Sequence, residues 1–300
     1  MKTVISLVNR NRKLFFRDKG MFFSALITPF ILIVLYVTFL AKVYKDSFVT
    51  AFPEGFYIAD NLIDGTVASQ LVAALLAVSC VTVTFCVNLT MVQDKASGAR
   101  KDFNVSPVSC SKIYLGYFLA TVLNSLMVNG LALVIGLIYI GKMGWYLSNV
   151  DVIWIIFDEV LLVLFGSALS SIISYPLTTQ GQMSAVGTIV SAGYGFICGA
   201  YMPISNFGSG LQKVLSYLPG TYGTSLLKNH MLRGIFTEME SENLPDGLIA
   251  AVKESLDCSP QFHGKVVNVT QMVFIMVGSI LVLGIIFLLI TILDEKRKRL

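Results

Sequence analysis

Asp158 and Glu159 are neighbouring carboxylates in a stretch that is otherwise apolar, and they fall one to two helical turns beyond Val152. A carboxylate inside a membrane-spanning helix is costly and marks a substrate or ion pathway by default. Trp145, Tyr146 and Trp154 lie close by, and such aromatics mark a membrane–water boundary. A tilted helix would then keep both carboxylates near headgroup depth, as interfacial or ion-paired structural groups. The sequence leaves both readings open. Thr82, Thr84 and Asn88, and Asn124 and Asn129, are the polar residues of two other apolar runs. Their ordinary role is bonding to neighbouring helices. Thr82 and Asn88 join Asp158 and Glu159 as pathway candidates.

Other reactive residue types form no constellation. Gly136 to Met143 reads G-x-x-x-x-G-K but ends in Met143, where a phosphate loop needs Ser or Thr to hold magnesium, and no strand precedes it. The chain is therefore expected to carry no ATPase site. His230 and His263 have no metal-ligand spacing around them and are expected at the surface. The five cysteines form no framework, since Cys80, Cys86 and Cys198 lie in apolar runs and only Cys110 and Cys258 lie in polar ones. A lipid-modifying enzyme would need a His/Asp/Glu cluster or a nucleophile motif, and none is present.

The elements that hold these residues are set by hydropathy. Hydrophobic residues make up 55% of the 300 positions and charged ones 13%, against about 25% charged in soluble domains. Uncharged runs at Met21–Ala41, Gly65–Val92, Ile113–Gly141 and Val266–Leu293 each exceed the roughly 20 residues that cross a bilayer. Val160–Gln212 is too long for one span, and Pro176 to Gln182 breaks it. Six spans are expected, at 21–41, 65–92, 113–141, 152–175, 183–203 and 266–293. Only helices or closed barrels satisfy the backbone in lipid, and these runs do not alternate. The expected class is an all-α integral membrane protein.

Residues 1–20 place Val4, Leu7, Val8, Leu14 and Phe15 on one arc and Lys2, Arg10, Lys13 and Arg17 opposite, a helix that lies in the interface. No cleavable signal peptide is expected. The segments 1–20, 93–112, 176–182 and 294–300 hold 14 of the 22 Lys and Arg residues, which places them and both termini inside. Residues 204–265 then form an outer segment, with Leu211, Val214, Leu215 and Leu218 at helical spacing and a soluble helix near 248–256. Ser191, Gly195 and Gly199, with Gly187 before them, form a small-residue stripe that serves either self-association or packing within one subunit.

The segment 93–112 interrupts two uncharged runs with Asp94, Lys95, Arg100, Lys101, Asp102 and Lys112. Gly98 and Pro107 bracket its only large apolar residues, Phe103 and Val105, and Ser106 and Ser109 are candidate caps. The order Asp94, Gly98, Pro107, Ser109, Ile113, Gly116 resembles the loop between the second and third spans of ABC-2 type transporter permeases. Gly199 to Pro203, then Leu218-Pro219 and Tyr222, resemble later motifs of that family, and the resemblance covers the chain as a single transmembrane domain, 1–300. Asp94 stands where the family usually has Glu.

The resemblance implies that 93–112 is a coupling helix in a cleft of the ATPase, with Asp94, Gly98, Arg100, Lys101, Phe103, Pro107 and Ser109 as contact candidates. It implies short re-entrant outer helices and an outer gate at Gly199, Pro203 and Pro219. It also implies two ABC ATPase subunits holding the ATP and magnesium, no cofactor on this chain, a homodimer or a related permease as second half, and no nucleic-acid partner. The expected setting is a cell membrane, that of a bacterium. The expected activity is export of an amphipathic or lipid-like substrate such as a drug, peptide antibiotic or lipid. Alternatives are export of lipid-linked polysaccharide and a non-transporting membrane sensor subunit.

Overall fold

A computed structural model of the chain describes residues 2–42, 45, 59–104, 108–242 and 244–299. Pro107, Val105 and Ser106 lie outside them. Helix α1, Lys2–Arg17, buries Leu7, Val8, Asn11 and Phe15 and leaves Lys2, Arg12, Lys13 and Arg17 exposed. Asp18 ends it and caps α2, Lys19–Leu35, by accepting the Met21 amide at 3.0 Å. The two helices meet at 77°. A π-helical turn, Tyr36–Leu40, follows.

Helix α3, Asp60–Ala96, is the hub. It packs against α2 and four later helices: α5 (Cys110–Met143), α6 (Asn149–Ser174), α7 (Gln180–Ile197) and α9 (Pro219–Ser241). Its most apolar window is 94% buried, whereas that of the last helix, α11 (Val269–Arg299), is 11% buried and faces outward. Between α3 and α5 lies the short α4, Arg100–Asn104. Between α7 and α9 come a 3-10 turn, Ile204–Asn206, and α8, Ser209–Leu215. Helix α10, Asp246–Ser255, precedes a two-residue hairpin, Gln261–Phe262 with Lys265–Val266.

Four helices among the described residues, α3, α5, α6 and α11, are long and apolar enough to cross a membrane, and a fifth span arises if α1 and α2 are taken together. The fold is thus an all-α, multi-pass membrane bundle. The stretch expected as a fifth full span contains α7, whose first turn carries Gln180 and Gln182, and α7 falls short of that test. Most of the segment expected outside is helical, and α9 packs inside the bundle against α3, α6 and α11. Its buried stripe of Leu227, Met231, Leu232 and Ile235 is hidden from hydropathy by Lys228, His230 and Arg233. Helix α10 buries Ile249 and Val252 in a second core with Leu62 and Phe236.

Candidate functional site

The α3–α5 connection is built on one ion pair. Asp94, two residues before the end of α3, is 6% exposed and grips Arg10 of α1 through both oxygens, at 2.5 and 3.0 Å. The Tyr117 hydroxyl of α5 donates to the same carboxylate at 2.5 Å. Three helices therefore share one carboxylate, and the pair is bidentate, the stronger geometry. Asp94's hydrogen bonds raise the Arg10 guanidinium above its ordinary value, against the opposing effect of burial. Gly116 of α5 admits α1 closely, since a Cβ there would sit 2.8 Å from the Leu7 Cβ.

The connection itself turns at Gly98 with φ +84°. Arg100 is 8% exposed, with its guanidinium 4.4 Å above the Tyr114 ring. Arg10 lies 5.1 Å over Phe103, which is half-buried. Lys101 and Asp102 are exposed. Ser109 sits at the cap position of α5 in extended backbone but its side chain caps nothing. Lys95 donates to the carbonyls of Tyr175 and Leu177, closing the end of α6. The loop candidates thus divide: Asp94 and Arg100 are clasped inside, Lys101 is presented outward, and Phe103 lies between.

At the other end, Asp158 and Glu159 turn to different neighbours. Asp158 is 1% exposed and meets His230 Nδ1 of α9 at 2.5 Å. The imidazole stacks on Trp154 with ring centres 5.5 Å apart. His230 is 6% exposed, which corrects the expectation of a surface histidine. It sits on the apolar stripe of α9, at helical spacing from Leu226 and Leu227, and that register was the available signal. Asp151 and Arg233 join the same two helices at 2.6 Å. Glu159, 4% exposed, points instead toward α5, where its Oε1 is 4.0 Å from a Cβ built on Gly130. It makes no hydrogen bond or ion pair among the described residues.

Thr82 and Thr84 bond back to their own helix, at 3.0 and 2.6 Å. Asn88 reaches across, donating to Ser170 and Ser171 of α6 at 3.3 and 3.4 Å and accepting from Thr121 of α5. These pathway candidates lie in the core shared by α3, α5 and α6. The P-loop lookalike, Gly136 to Met143, is continuous helix.

The outer-gate candidates gather where α7 ends. Gly199 has φ +73°, and a Cβ there would meet Ile204 Cγ1 at 2.8 Å, so only glycine fits. Its carbonyl accepts from Lys228, a cation 1% exposed, at 3.0 Å. Asp257 links the Lys228 ammonium, at 3.5 Å, to the Ile204 amide, at 2.8 Å. Pro203 precedes the 3-10 turn and Pro219 opens α9. Gly195 lies under the Tyr201 ring, so the small-residue stripe packs within one subunit at Gly195 and Gly199. Among the described residues, no group of side chains has the makings of a metal site.

No curated protein and no solved structure matches the chain. Residues 55–293 match the family model described as ABC-2 family transporter protein. The loop clasp, the buried carboxylates and the Gly199 turn all fall within a chain that belongs to the ABC-2 family of transporter membrane proteins.

Proposed function

We propose that this chain is the permease subunit of an ATP-driven exporter, which moves an amphipathic or lipid-like substrate out of the cytoplasm or inner leaflet. Family membership implies an ABC ATPase partner. Two copies of the chain pair with two ATPase subunits, and the 93–112 segments seat in them. The observation that carries this reading is the Asp94 clasp, in which Arg10, Asp94 and Tyr117 tie α1, α3 and α5 together at the loop. A push on that segment reaches three helices at once. Inverting a 1:99 equilibrium between inward and outward states takes about 5.5 kcal/mol, which nucleotide binding must supply through such a contact.

Cargo class is supported by an apolar groove of about 460 Å³ between α6, α7, α9 and α11, lined by Phe165, Tyr194, Pro219, Val282 and Leu283 among others. It suits an acyl chain or drug ring better than a sugar. The test is reconstitution of the chain with its ATPase in vesicles, with ATP turnover and efflux followed over a panel of amphipathic compounds. Coupled stimulation is expected. Turnover and efflux indifferent to every amphipathic compound, with stimulation by a lipid-linked glycan instead, would overturn the cargo class. Failure of the purified chain to associate with any ABC ATPase would overturn the permease reading itself.

A further inference from the structure

Between α3, α5 and α6 runs a seam of polar side chains that ordinary interhelical bonding does not account for. Asn88, with its bonds to Ser170 and Ser171, is its tier nearest the loop. One turn further on, Asn124 is 1% exposed and neither its amide oxygen nor its nitrogen has a partner among the described residues. The hydroxyls of Ser125 and Ser167 and the Oδ1 of Asn129 are likewise buried and unpartnered. Buried polar atoms left this way cost roughly 1–3 kcal/mol each. Nearly all such groups in native proteins are satisfied, by ordered water where no side chain reaches. Ser167 of α6 and Asn124, Ser125 and Asn129 of α5 thus follow one another, turn by turn, away from the Asn88 tier.

The seam leads to Glu159. From the Ser170–Ser171 tier to Glu159 is about 17 Å along α6 at 1.5 Å per residue. Beside the carboxyl there is room, because a Cβ on Gly130 would meet nothing but Glu159 Oε1, and that at 4.0 Å. The titratable groups near it are Cys80 of α3 and Asp158, the latter turned away to His230 of α9. The facing stretch of α5, Asn124 to Gly130, and the apolar part of α11 carry none. A carboxylate in such surroundings without a cation is costly, and the cost is removed when it holds a proton.

We propose that Glu159 is a proton-binding site inside the membrane-spanning bundle, and that the Asn88–Asn124–Asn129 seam is the hydrated file through which it exchanges protons with the loop end. The proton comes from water of the file and forms the O–H bond on a carboxylate oxygen, with hydroxide equivalents returning along the same file.

Infrared spectroscopy of the full chain in lipid nanodiscs tests this. A carboxylic-acid carbonyl band is expected in the wild type and absent in Glu159→Gln. On transfer to heavy water its deuterium shift is expected to slow about tenfold in Asn124→Leu, the equivalent of one lost hydrogen-bonding step. Ser125→Ala, which removes one hydroxyl and little volume, gives the same reading should the leucine variant fail to fold. A band that survives in Glu159→Gln, or is missing from the wild type, overturns the site. Unchanged exchange in both seam variants overturns the file.

Discussion

Arg10 and Asp94, 84 residues apart in sequence, hold each other at 2.5 and 3.0 Å where α1, α3 and α5 meet. Removing one partner strands the other. Asp94 is buried while the Arg10 side chain is one-third exposed, so the cost of Arg10→Ala is set below that of a fully buried pair, at about 2–3 kcal/mol. Asp94→Asn in the Arg10→Ala background should then recover part of the loss, because the stranded charge is gone. Unfolding in detergent measures both, and strict additivity would show that the pair is not coupled.

Lys101 and Arg100 are adjacent yet differently placed, so charge reversal should separate docking from folding. Lys101 is exposed, and Lys101→Glu is expected to leave the melting temperature unchanged while weakening association with the ATPase subunit. Arg100 lies against Tyr114, and Arg100→Glu loses a desolvated cation–π contact of about 2 kcal/mol and buries a carboxylate. It should fail at the level of the chain. Unaltered binding and ATP turnover in Lys101→Glu would remove that residue from the coupling surface.

The two membrane carboxylates make opposite demands. Asp158→Asn breaks a buried contact with His230 that joins α6 to α9, and His230→Ala strands the carboxylate, so both are expected to lower stability by about 3 kcal/mol. Among the described residues, Glu159 has no hydrogen-bond or ion-pair partner to lose. Glu159→Gln should therefore keep the assembly intact and lower transport. A matched loss of stability and transport in Glu159→Gln would make that carboxyl structural instead.

How far the sequence reached follows from what lipid enforces. The hydrocarbon core excludes charge, so α3, α5, α6 and α11 stand out as uncharged runs. The order of Asp94, Gly98, Ser109 and Gly116 pointed to the family. Helix α9 was not legible, because Lys228 and His230 are buried only by partners distant in sequence, Gly199 with Asp257 and Asp158. For the same reason Arg10 looked like part of a solvated basic face; only the closeness of α1 to α5 at Gly116 brings it onto Asp94.

Asp18 gives a pH dependence with a definite sign. The Met21 amide, then the Gln93 side chain, hold its carboxyl below the usual value. A group with a depressed folded-state pKa adds stability that is present above the unfolded value, near about 3.9, and is lost as pH falls through the folded one. Asp18→Asn keeps a capping oxygen and should flatten that acid-side loss, while Asp18→Ala should cost about 1 kcal/mol at neutral pH. Melting temperatures across an acid series decide, and an identical acid slope in Asp18→Asn would exclude the group.

Gly187 lies on α7 and Gly199 in the turn just past its end, and alanine at each should tell their surroundings apart. At Gly199 the backbone has φ +73° and a Cβ would press on Ile204 at 2.8 Å, beside the carbonyl that accepts the Lys228 hydrogen bond. The left-handed conformation alone costs a non-glycine residue about 1–2 kcal/mol, and displacing Ile204 loosens the Asp257 bond to its amide. Gly199→Ala is thus expected to destabilise the outer turn and reduce transport without affecting association with the ATPase at the opposite end. A Cβ at Gly187 would meet nothing within 4 Å beyond its own helix among the described residues. Gly187→Ala should leave the isolated subunit unchanged or slightly more stable, since alanine is favoured over glycine in a helix by about 1 kcal/mol. If Gly187→Ala nevertheless blocks pairing of two chains in crosslinking, that face of α7 is where the second permease docks.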